Sequence, residues 1–364
     1  MRAGSGRRST GTVIESSKNK YVIVKLLGAG GFGAVYRVHD QKDPTKMFAL
    51  KVEKKIETRK HSKLKMEVCL STNFLQTPYI HFWVHTRRIF RLKPYVLPES
   101  AGHIAVQPSF QIAILKLVAN ERNQSHFTAI IDRGKKETFF FLVMELVGKS
   151  LADLKNARPE RHFSISTGLG ASIQCLEACE DLHKYGFIHR DLKPANYACG
   201  LGEKRHVYIL DFGIATILDF GIARRILNDK NELKTPRVSV RFKGTIPFAS
   251  IACHRGIEMG PKDDCESWFY LMLDLTVPGG LIWKRIADKN EVLKVKEECR
   301  TSRKDQMLGS LKCKEELLRV LEYIDKLQYH DHVDYTYIYK MLEEGALQSG
   351  GNVNNPYDWE TEVS

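Results

Sequence analysis

Residues 189–196 read His-Arg-Asp-Leu-Lys-Pro-Ala-Asn, and this stretch decides how the rest of the chain is interpreted. Asp191 is of the type that accepts or orients the proton of a substrate hydroxyl, and the cation of Lys193 follows closely. The amide oxygen of Asn196 is suited to share a metal ion. Transfer of a phosphoryl group depends on in-line positioning and neutralised charge more than on covalent help. The stretch therefore predicts the catalytic loop of a phosphoryl-transfer enzyme.

A glycine-rich segment at residues 28–35 reads Gly-Ala-Gly-Gly-Phe-Gly-Ala-Val and lies between two predicted strands. Glycine lets backbone N–H groups approach phosphate oxygens because no Cβ atom stands in the way. A similar spacing occurs in dinucleotide-binding folds, but there a helix follows the glycines, whereas here a strand follows. The segment therefore predicts a phosphate-covering loop, with Val35 packed over an adenine ring.

Lys51 ends the segment Phe-Ala-Leu-Lys on the third predicted strand, behind the glycine-rich loop. From that place a lysine can pair with the α- and β-phosphates of a nucleotide. Glu67, on a helix predicted at residues 59–70, is the candidate partner that would hold the ammonium group in place. Taken singly, an exposed strand lysine and a solvated helix carboxylate are the ordinary alternatives.

The sequence Ile-Leu-Asp-Phe-Gly-Ile-Ala occurs twice in tandem, at residues 209–215 and 217–223. The aspartate of such a motif coordinates Mg²⁺, so Asp211 and Asp219 compete for one role. Loop length favours Asp219, because an insertion upstream of the motif is tolerated more easily than extra length after it. The repeat is too short for a repeat architecture and indicates a local duplication or an error in the predicted coding sequence.

The pattern of apolar residues changes along the chain. Residues 21–27, 34–38, 47–52 and 139–146 have the apolar, β-branched character of strands, whereas residues 164–182, 264–275, 290–300 and 315–327 have helical spacing, with a short strand at residues 207–210. A β-rich part is therefore followed by a helical part, with the boundary near Gly148. Residues 71–111 are rich in aromatic residues, proline and histidine without a clear period, and are interpreted as an insert or a second coding error.

Composition excludes several classes of protein. The chain has 364 residues, of which 43% are hydrophobic and 27% are charged, which is ordinary for a globular protein. Its net charge of +13 favours acidic or phosphorylated partners, but no basic run with interleaved aromatic residues points to nucleic acid. No apolar run is long enough to cross a bilayer, and no secretory signal precedes the first strand. The eight cysteines show no Cys-x-x-Cys pair and are expected to be reduced.

With these motifs in this order, the chain resembles the eukaryotic protein kinases, and within them the casein kinase 1 group. Residues 244–252, Gly-Thr-Ile-Pro-Phe-Ala-Ser-Ile-Ala, replace the usual Ala-Pro-Glu triplet and are similar to that group's Gly-Thr-x-x-Tyr-Ala-Ser-Ile-Asn. Residues 254–260 and 263–267 continue the likeness. Gly-Thr-Val-Ile at residues 11–14 and Pro-Tyr-Asp-Trp-Glu at residues 356–360 look most like the tau-tubulin kinase branch and its nematode relatives.

The resemblance implies a bilobal α+β protein kinase fold. A small, β-rich N-lobe with one main helix would precede a larger, α-rich C-lobe. In residue numbers, this gives a flexible lead at 1–20, an N-lobe at 21–147 with the insert at 71–111, a C-lobe at 148–345 and a C-terminal tail at 346–364.

The resemblance also implies ATP and Mg²⁺ as cofactors, with transfer of the γ-phosphoryl group to Ser or Thr hydroxyls of protein substrates. The catalytic residues would be Asp191, Lys193, Asn196, Lys51 and Glu67. The nucleotide would contact Leu27, Gly28, Ala29, Gly30, Gly31, Phe32, Gly33, Val35, Ala49, Lys51, Met144, Glu145 and Val147, and the metal would be held by Asn196 with Asp219 or Asp211. Met144 falls on the gatekeeper position, Glu145 and Val147 on the hinge, and Asp264 on the aspartate that braces the catalytic loop.

Departures from the group's pattern leave other hypotheses open. Pro247 stands where the group usually has an arginine that helps to bind a phosphate already present on the substrate, although Arg237, Arg241 and Lys243 are near in sequence. The insert after Glu67 and the doubled Asp-Phe-Gly segment are compatible with a catalytically impaired pseudokinase or scaffold. The charge alone is compatible with a module that binds polyanions. The expected partners are proteins with acidic or phosphorylated segments. Binding to nucleic acid or to a membrane is not expected. The chain is expected to be a cytoplasmic monomer, with the nucleus as an alternative location.

Overall fold

The computed structural model describes residues 8–29, 33–54, 122–184, 187–210, 224–225 and 239–361. The first strands are β1 (Val13–Glu15), β2 (Lys20–Ala29), β3 (Gly33–Asp40), β4 (Met47–Lys54), β5 (Ile130–Lys135) and β6 (Phe139–Glu145). They form one antiparallel sheet in the order β1-β2-β3-β4-β6-β5. The helix predicted at residues 59–70 and the insert at residues 71–111 lie outside the described residues.

Both faces of this sheet are apolar, because successive side chains along a strand point to opposite faces. One face carries the larger buried cluster, made of Ile14, Tyr21, Ile23, Tyr36, Val38, Leu50, Val52, Phe139, Phe141 and Val143. The other face carries the smaller cluster of Val35, Ala49, Phe140, Leu142 and Met144. Lys51 shares this second face, because it lies two positions from Ala49 on β4. The sheet therefore places four of the predicted nucleotide contacts, Val35, Ala49, Lys51 and Met144, on a single face.

The structure differs from the expectation of a flexible lead at residues 1–20, because part of this segment forms a strand. Residues Val13–Glu15 form β1 and pair with Lys20–Val22 at the start of β2. Ile14 is buried in the larger cluster of the sheet, so the end of the lead contributes to the core. A short alternating segment of this kind gains its stability from the sheet it joins, which local sequence does not reveal.

The second part of the chain is mainly helical. Its helices are α1 (Leu151–Ala157), α2 (Ile165–Lys184), α3 (Ile251–Arg255), α4 (Pro261–Thr276), α5 (Lys289–Glu298), α6 (Lys304–Leu308), α7 (Lys314–Lys326), α8 (Tyr335–Gln348) and α9 (Asp358–Thr361). The short strands are β7 (Phe187–Ile188), β8 (Tyr197–Cys199), β9 (Val207–Ile209) and β10 (Arg224–Arg225). Ser150, Ser250, Asp288 and Asp334 cap the N-termini of α1, α3, α5 and α8 with side-chain oxygens.

The core of the helical part forms where α2 packs against α4. Gly168 permits the close approach, because a Cβ atom there would lie 2.1 Å from Cγ2 of Thr276. The indole nitrogen of Trp268, which is fully buried, donates a hydrogen bond of 2.7 Å to the carbonyl of Ser172. This contact satisfies a polar group inside an otherwise apolar interface. The two helices therefore form a rigid base beneath the loops that connect the short strands.

The predicted order of a β-rich part followed by a helical part is confirmed. Each predicted strand and each predicted helix among the described residues is present, with ends displaced by at most three residues. The seven described cysteines are free and buried, so Cys175 and Cys179 are core thiols as expected. Helix α8 extends to Gln348, three residues past the expected end of the helical part. Among the described helices, none combines the length and the apolar character needed to span a bilayer.

Candidate active site

The loop between β7 and β8 holds Asp191 in a closed triangle of polar contacts. The ammonium group of Lys193 donates to Oδ2 of Asp191 at 2.7 Å, and the hydroxyl of Thr245 donates to Oδ1 at 2.7 Å. Lys193 also donates to Oγ1 of Thr245, at 2.8 Å. Both carboxylate oxygens of Asp191 are thus directed by neighbours, which fixes the orientation of a group suited to accept a proton.

Asp264, at the start of α4, fixes the backbone of the same loop from below. Its carboxylate accepts hydrogen bonds from the backbone nitrogens of His189 at 2.5 Å and Arg190 at 2.7 Å. It also accepts one from Nε2 of His183, at 2.9 Å. Burial, the largest single effect, raises the pKa of this carboxyl, but the hydrogen bonds and charges of His183 and His189 together outweigh it, so the pKa of Asp264 is lowered. The loop is therefore anchored to a buried carboxylate that stays ionised.

Arg190 carries the conformational strain of this loop. Its φ of 69° lies in the left-handed region, which residues other than glycine rarely adopt. The two hydrogen bonds from His189 and Arg190 to Asp264 hold the strained backbone in place. Strain that is maintained in this way is typical of functional loops, because a relaxed backbone would turn the side chain of Asp191 elsewhere.

Cys179, His183 and Asp264 bring possible ligand atoms within 4.8 Å of one another. Nδ1 of His183 forms a short contact with the hydroxyl of Tyr335, and its other ring nitrogen faces Asp264. Because the histidine and carboxylate atoms are already engaged, this group forms a structural hydrogen-bond network beneath the loop.

Asn196 closes the loop in the 3₁₀ turn Pro194–Asn196. Its amide nitrogen donates to the carbonyl of Asp191 at 2.8 Å, so the amide oxygen is the atom that remains to bind a ligand. Its own carbonyl accepts a hydrogen bond from the backbone nitrogen of Leu210, at 2.5 Å. An amide oxygen fits the preference of Mg²⁺ for oxygen ligands. Asp211 and Asp219 lie outside the described residues.

Lys51 lies on the face of the sheet that carries the smaller buried cluster. In the strand register it is opposite Val35 on β3 and Leu142 on β6, and its side chain is buried. Ala49 is opposite Met144 in the same register. Apolar side chains around a buried lysine can enclose a planar base and direct the ammonium group at its phosphates. Glu67, the predicted partner of Lys51, lies outside the described residues.

The glycine-rich loop is described only at its two ends. Gly28 is opposite Val35 and Ala29 is opposite Ala34 in the pairing of β2 with β3, while Leu27 is exposed. Gly33 begins β3. The remaining predicted contacts, Gly30, Gly31 and Phe32, lie outside the described residues. The predicted strand–loop–strand context is present, in agreement with a phosphate-covering loop and not with a dinucleotide-binding helix.

The segment after β6 runs beside the strand that follows the catalytic loop. The backbone nitrogen of Gly148 donates to the carbonyl of Cys199 at 2.8 Å, and Cys199 donates to Lys149 at 3.1 Å. Glu145 accepts a hydrogen bond of 3.2 Å from the hydroxyl of Tyr208, while Val147 is half-buried. The predicted hinge is therefore attached to the β8–β9 hairpin, which begins directly after Asn196.

Two side chains that direct this site were not predicted from the sequence. Thr245 belongs to a motif that was quoted for its resemblance alone, although its hydroxyl contacts both Asp191 and Lys193. His183 lies on α2 and contacts Asp264, and nothing in its local sequence distinguishes it from a surface histidine. The motif itself was the available signal for Thr245, whereas His183 required the packing of α2 against α4.

Comparisons with known proteins agree with this geometry. A protein kinase domain model matches residues 112–248. A putative serine/threonine-protein kinase of Caenorhabditis elegans is 31% identical over 239 residues, covering 65% of this chain and 67% of that protein. The serine/threonine-protein kinase spe-6 of the same organism is 30% identical over 260 residues, covering 70% of this chain and 65% of spe-6. A probable serine/threonine-protein kinase of Dictyostelium discoideum is 24% identical over 347 residues, covering 95% of this chain.

A β-rich lobe followed by a helical lobe, with the predicted catalytic loop between β7 and β8, is the bilobal α+β fold of protein kinases. The chain belongs to the protein kinase family, among its serine/threonine kinases. Members of this family use ATP and a divalent metal ion. The chain spans only 58% of the length of the Dictyostelium relative.

Proposed function

We propose that this chain is an active serine/threonine protein kinase that uses ATP with Mg²⁺. The observation that carries the proposal is the triangle of Asp191, Lys193 and Thr245, in which each pair of side chains is joined at 2.7 or 2.8 Å. A site that had lost its activity would not need to keep both oxygens of Asp191 directed in this way. The alternative hypothesis, an impaired pseudokinase or scaffold, rests on segments outside the described residues.

In the proposed reaction, the hydroxyl oxygen of a substrate Ser or Thr forms a bond to the γ-phosphorus of ATP. The bond between that phosphorus and the bridging oxygen breaks, ADP leaves, and the hydroxyl proton passes to Asp191. Lys193 supplies positive charge next to the transferred group, and Lys51 pairs with the α- and β-phosphates. Bound Mg²⁺ would neutralise charge on the phosphates, with the amide oxygen of Asn196 as one ligand.

We propose that Asp211 is the second ligand of the metal ion, although the argument from loop length predicted otherwise. Strand β9 pairs with β8 so that Ile209 is opposite Tyr197, and the Leu210 nitrogen reaches the Asn196 carbonyl at 2.5 Å. Asp211 follows Leu210 directly in the chain. Asp219 is eight residues further along the chain. Pairing of β9 with β8 therefore favours the first copy of the repeat, and the extra residues then enter the segment that follows.

The finer assignment to the casein kinase 1 group rests on the motif at residues 244–252. Pro247 offers no cation where the group usually has arginine, and its carbonyl accepts a hydrogen bond of 2.8 Å from the indole of Trp283. Arg241 and Lys243 remain nearby in sequence to attract acidic or phosphorylated segments. We propose protein substrates with acidic surroundings, without a strict need for a phosphate already present, and a cytoplasmic monomer.

The test is transfer of labelled phosphate from ATP with Mg²⁺ to dephosphorylated casein by the purified chain. We expect the wild type to label casein and Asp191→Asn to lose at least about 100-fold in kcat, because a general base contributes 10²–10⁴-fold. Asp305→Asn is the matched control, because its side chain is 92% exposed. A folded wild-type chain that transfers no phosphate would overturn the proposal and favour the pseudokinase.

The same assay separates the two copies of Asp-Phe-Gly. We expect Asp211→Ala to abolish transfer and Asp219→Ala to leave at least half of it, because only the first copy follows β9 directly. Loss of activity in Asp219→Ala with retention in Asp211→Ala would reverse the assignment without affecting the proposed reaction.

A further inference from the structure

The 245–250 loop, which runs from Thr245 to Ser250, joins the catalytic triangle to helix α3. Thr245 at its beginning contacts Asp191, and Ser250 at its end caps α3. Within the loop, the nitrogens of Phe248 and Ala249 both donate to the carbonyl of Thr245, at 2.9 and 3.0 Å. This turn uses the carbonyl of Thr245, so the other carbonyls of the loop require partners of their own.

Lys296 on α5 is the hydrogen-bond donor to two of these carbonyls. Its ammonium group donates to the carbonyl of Ala249 at 2.6 Å and to that of Ile246 at 3.1 Å. Its nitrogen also lies 3.2 Å from Nε2 of His254, a ring nitrogen that contacts the same Ile246 carbonyl at 3.3 Å. Two backbone carbonyls of the 245–250 loop therefore accept hydrogen bonds from Lys296.

Burial of the Lys296 ammonium group costs free energy, so packing alone does not explain a lysine at this position. The side chain is fully buried, and within the described part of the chain no carboxylate oxygen lies within 4.0 Å of its nitrogen. The ammonium group lies 4.6 Å from the ring centre of Tyr270 and 5.6 Å from that of Trp283. Burial lowers the pKa of Lys296 to about 7, with Glu266 acting in the opposite direction and Arg300 in the same one. An apolar side chain would fill this space without the cost of removing a cation from water.

We propose that Lys296 is a positioning residue of the kinase reaction, which holds the 245–250 loop where Thr245 orients Asp191 and where the protein substrate approaches it. This inference rests on the proposed function and extends it to a residue 105 positions after Asp191. The ammonium group acts through the carbonyls of Ile246 and Ala249, not through contact with the substrate. Its loss should therefore affect the use of the protein substrate more than the binding of ATP.

The experiment compares Lys296→Met, which keeps the length of the side chain but removes its donors, with Lys296→Arg, which keeps charge and donors. Lys340→Met is the matched control, because Lys340 is on helix α8 and its side chain is 68% exposed. Thermal unfolding first establishes that each variant is folded. Two readouts follow: kinetics with casein and with ATP, and hydrogen–deuterium exchange at the backbone amides of the 245–250 loop other than Pro247, which has no amide hydrogen.

For Lys296→Met we expect kcat/KM for casein to fall at least tenfold while the KM for ATP changes less than twofold. Exchange at the amides of Phe248 and Ala249 should become faster by a similar factor. Lys296→Arg should keep more of both properties than Lys296→Met, and Lys340→Met should match the wild type. A general loss of structure would instead raise exchange across the core of α2 and α4.

The two proposals fail in different ways. If the wild type transfers no phosphate, the proposed function fails, and exchange at residues 245–250 still decides whether Lys296 holds the loop. Unchanged exchange in a folded Lys296→Met chain would overturn the inference whatever the activity. In an active enzyme, a casein kcat/KM within twofold of the wild type would overturn it as well.

Discussion

Oδ2 of Asp264 lies 2.5 Å from the backbone nitrogen of His189, although 75 residues separate the two in the chain. Asp264 is at the start of α4, and His189 opens the catalytic loop after β7. The contact joins the most buried helix of the C-lobe to the loop that carries Asp191. The same carboxylate also accepts the Arg190 nitrogen, so one side chain fixes two consecutive peptide groups.

Replacement of Asp264 by asparagine tests this anchor. The amide would keep one acceptor but would turn an NH₂ group towards backbone N–H groups or towards His183. We expect Asp264→Asn to lower the free energy of unfolding by about 2 kcal/mol and kcat by at least tenfold, because buried donors lose their acceptor. Urea denaturation and the casein assay measure the two effects. Asp305→Asn is the surface control and should stay within about 0.5 kcal/mol of the wild type. Equal effects of the two substitutions would contradict the anchoring role.

Gly244 precedes Thr245 and packs against the catalytic loop. Its φ is +117°, and a Cβ atom there would lie 2.7 Å from the carbonyl oxygen of Arg190. Gly279 also has a positive φ, +83°, but a Cβ atom there would meet nothing within 4 Å. We expect Gly279→Ala to cost about 1 kcal/mol of unfolding free energy from backbone strain alone.

Gly244→Ala should cost about 3 kcal/mol, because the clash with Arg190 is added to the strain. It should also reduce kcat, since the catalytic loop must move to make room. Thermal unfolding of both variants separates strain from clash. If Gly244→Ala lowers the free energy of unfolding no more than Gly279→Ala does, the packing of residue 244 on the loop does not contribute to stability.

Thr245 offers a test of how Asp191 is directed. Thr245→Val keeps the shape of the side chain but removes the hydroxyl that contacts Asp191 and Lys193. We expect kcat to fall about tenfold, equivalent to about 1.4 kcal/mol, while the KM for ATP stays within twofold. Thr245→Ser keeps the hydroxyl and should remain within about threefold of the wild type. A loss as large in the serine variant as in the valine variant would assign the effect to packing of the methyl group.

His254 makes stability depend on pH. Burial, and next the positive charge of Lys296, lower the pKa of His254 to about 4. Lys289 acts in the same direction, while the Ile246 carbonyl and Glu266 oppose it. Between pH 4 and the ordinary histidine pKa of about 6.5, the unfolded chain therefore binds a proton that the folded chain does not. Stability contributed by neutral His254 is present above pH 6.5 and is lost as the pH falls towards 4.

We therefore expect the melting temperature of the wild type to drop between pH 7.5 and pH 5, and to drop less in His254→Gln. Differential scanning calorimetry at the two pH values gives both differences. His330→Gln is the control, because the side chain of His330 is 70% exposed, and its drop should equal that of the wild type. An identical drop in all three proteins would exclude His254 as a source of the pH dependence.

Local patterns were sufficient for most of the secondary structure. The apolar character of β4 and β6 and the helical spacing of α2, α4, α5 and α7 predicted these elements to within three residues. Strand β1 was not predicted, since three residues carry little signal and Ile14 is buried only because the sheet extends over it. The role of Glu67 remains a prediction, as does the contact of the glycine-rich loop with phosphates.

The choice between Asp211 and Asp219 shows a limit of reasoning from local sequence. The two copies of the motif are identical over seven residues, so the motif itself does not distinguish them. The argument from loop length pointed to Asp219, whereas the pairing of β9 with β8 favours Asp211. Strand pairing joins residues that are distant in sequence, and the motif alone contains no information about it.

Sequence by itself predicted the chemistry proposed for this protein. Phosphoryl transfer requires a carboxylate, a cation and an oxygen ligand for the metal at close spacing, and residues 191–196 supply all three within one loop. Tertiary structure decided what directs that loop. Lys296 has the local sequence of a solvent-facing helix residue, and only the 245–250 loop packed above α5 makes it a buried donor to two carbonyls. Burial and hydrogen-bond partners depend on segments that meet in space, so Thr245, His183 and Lys296 acquired their places only when the chain folded.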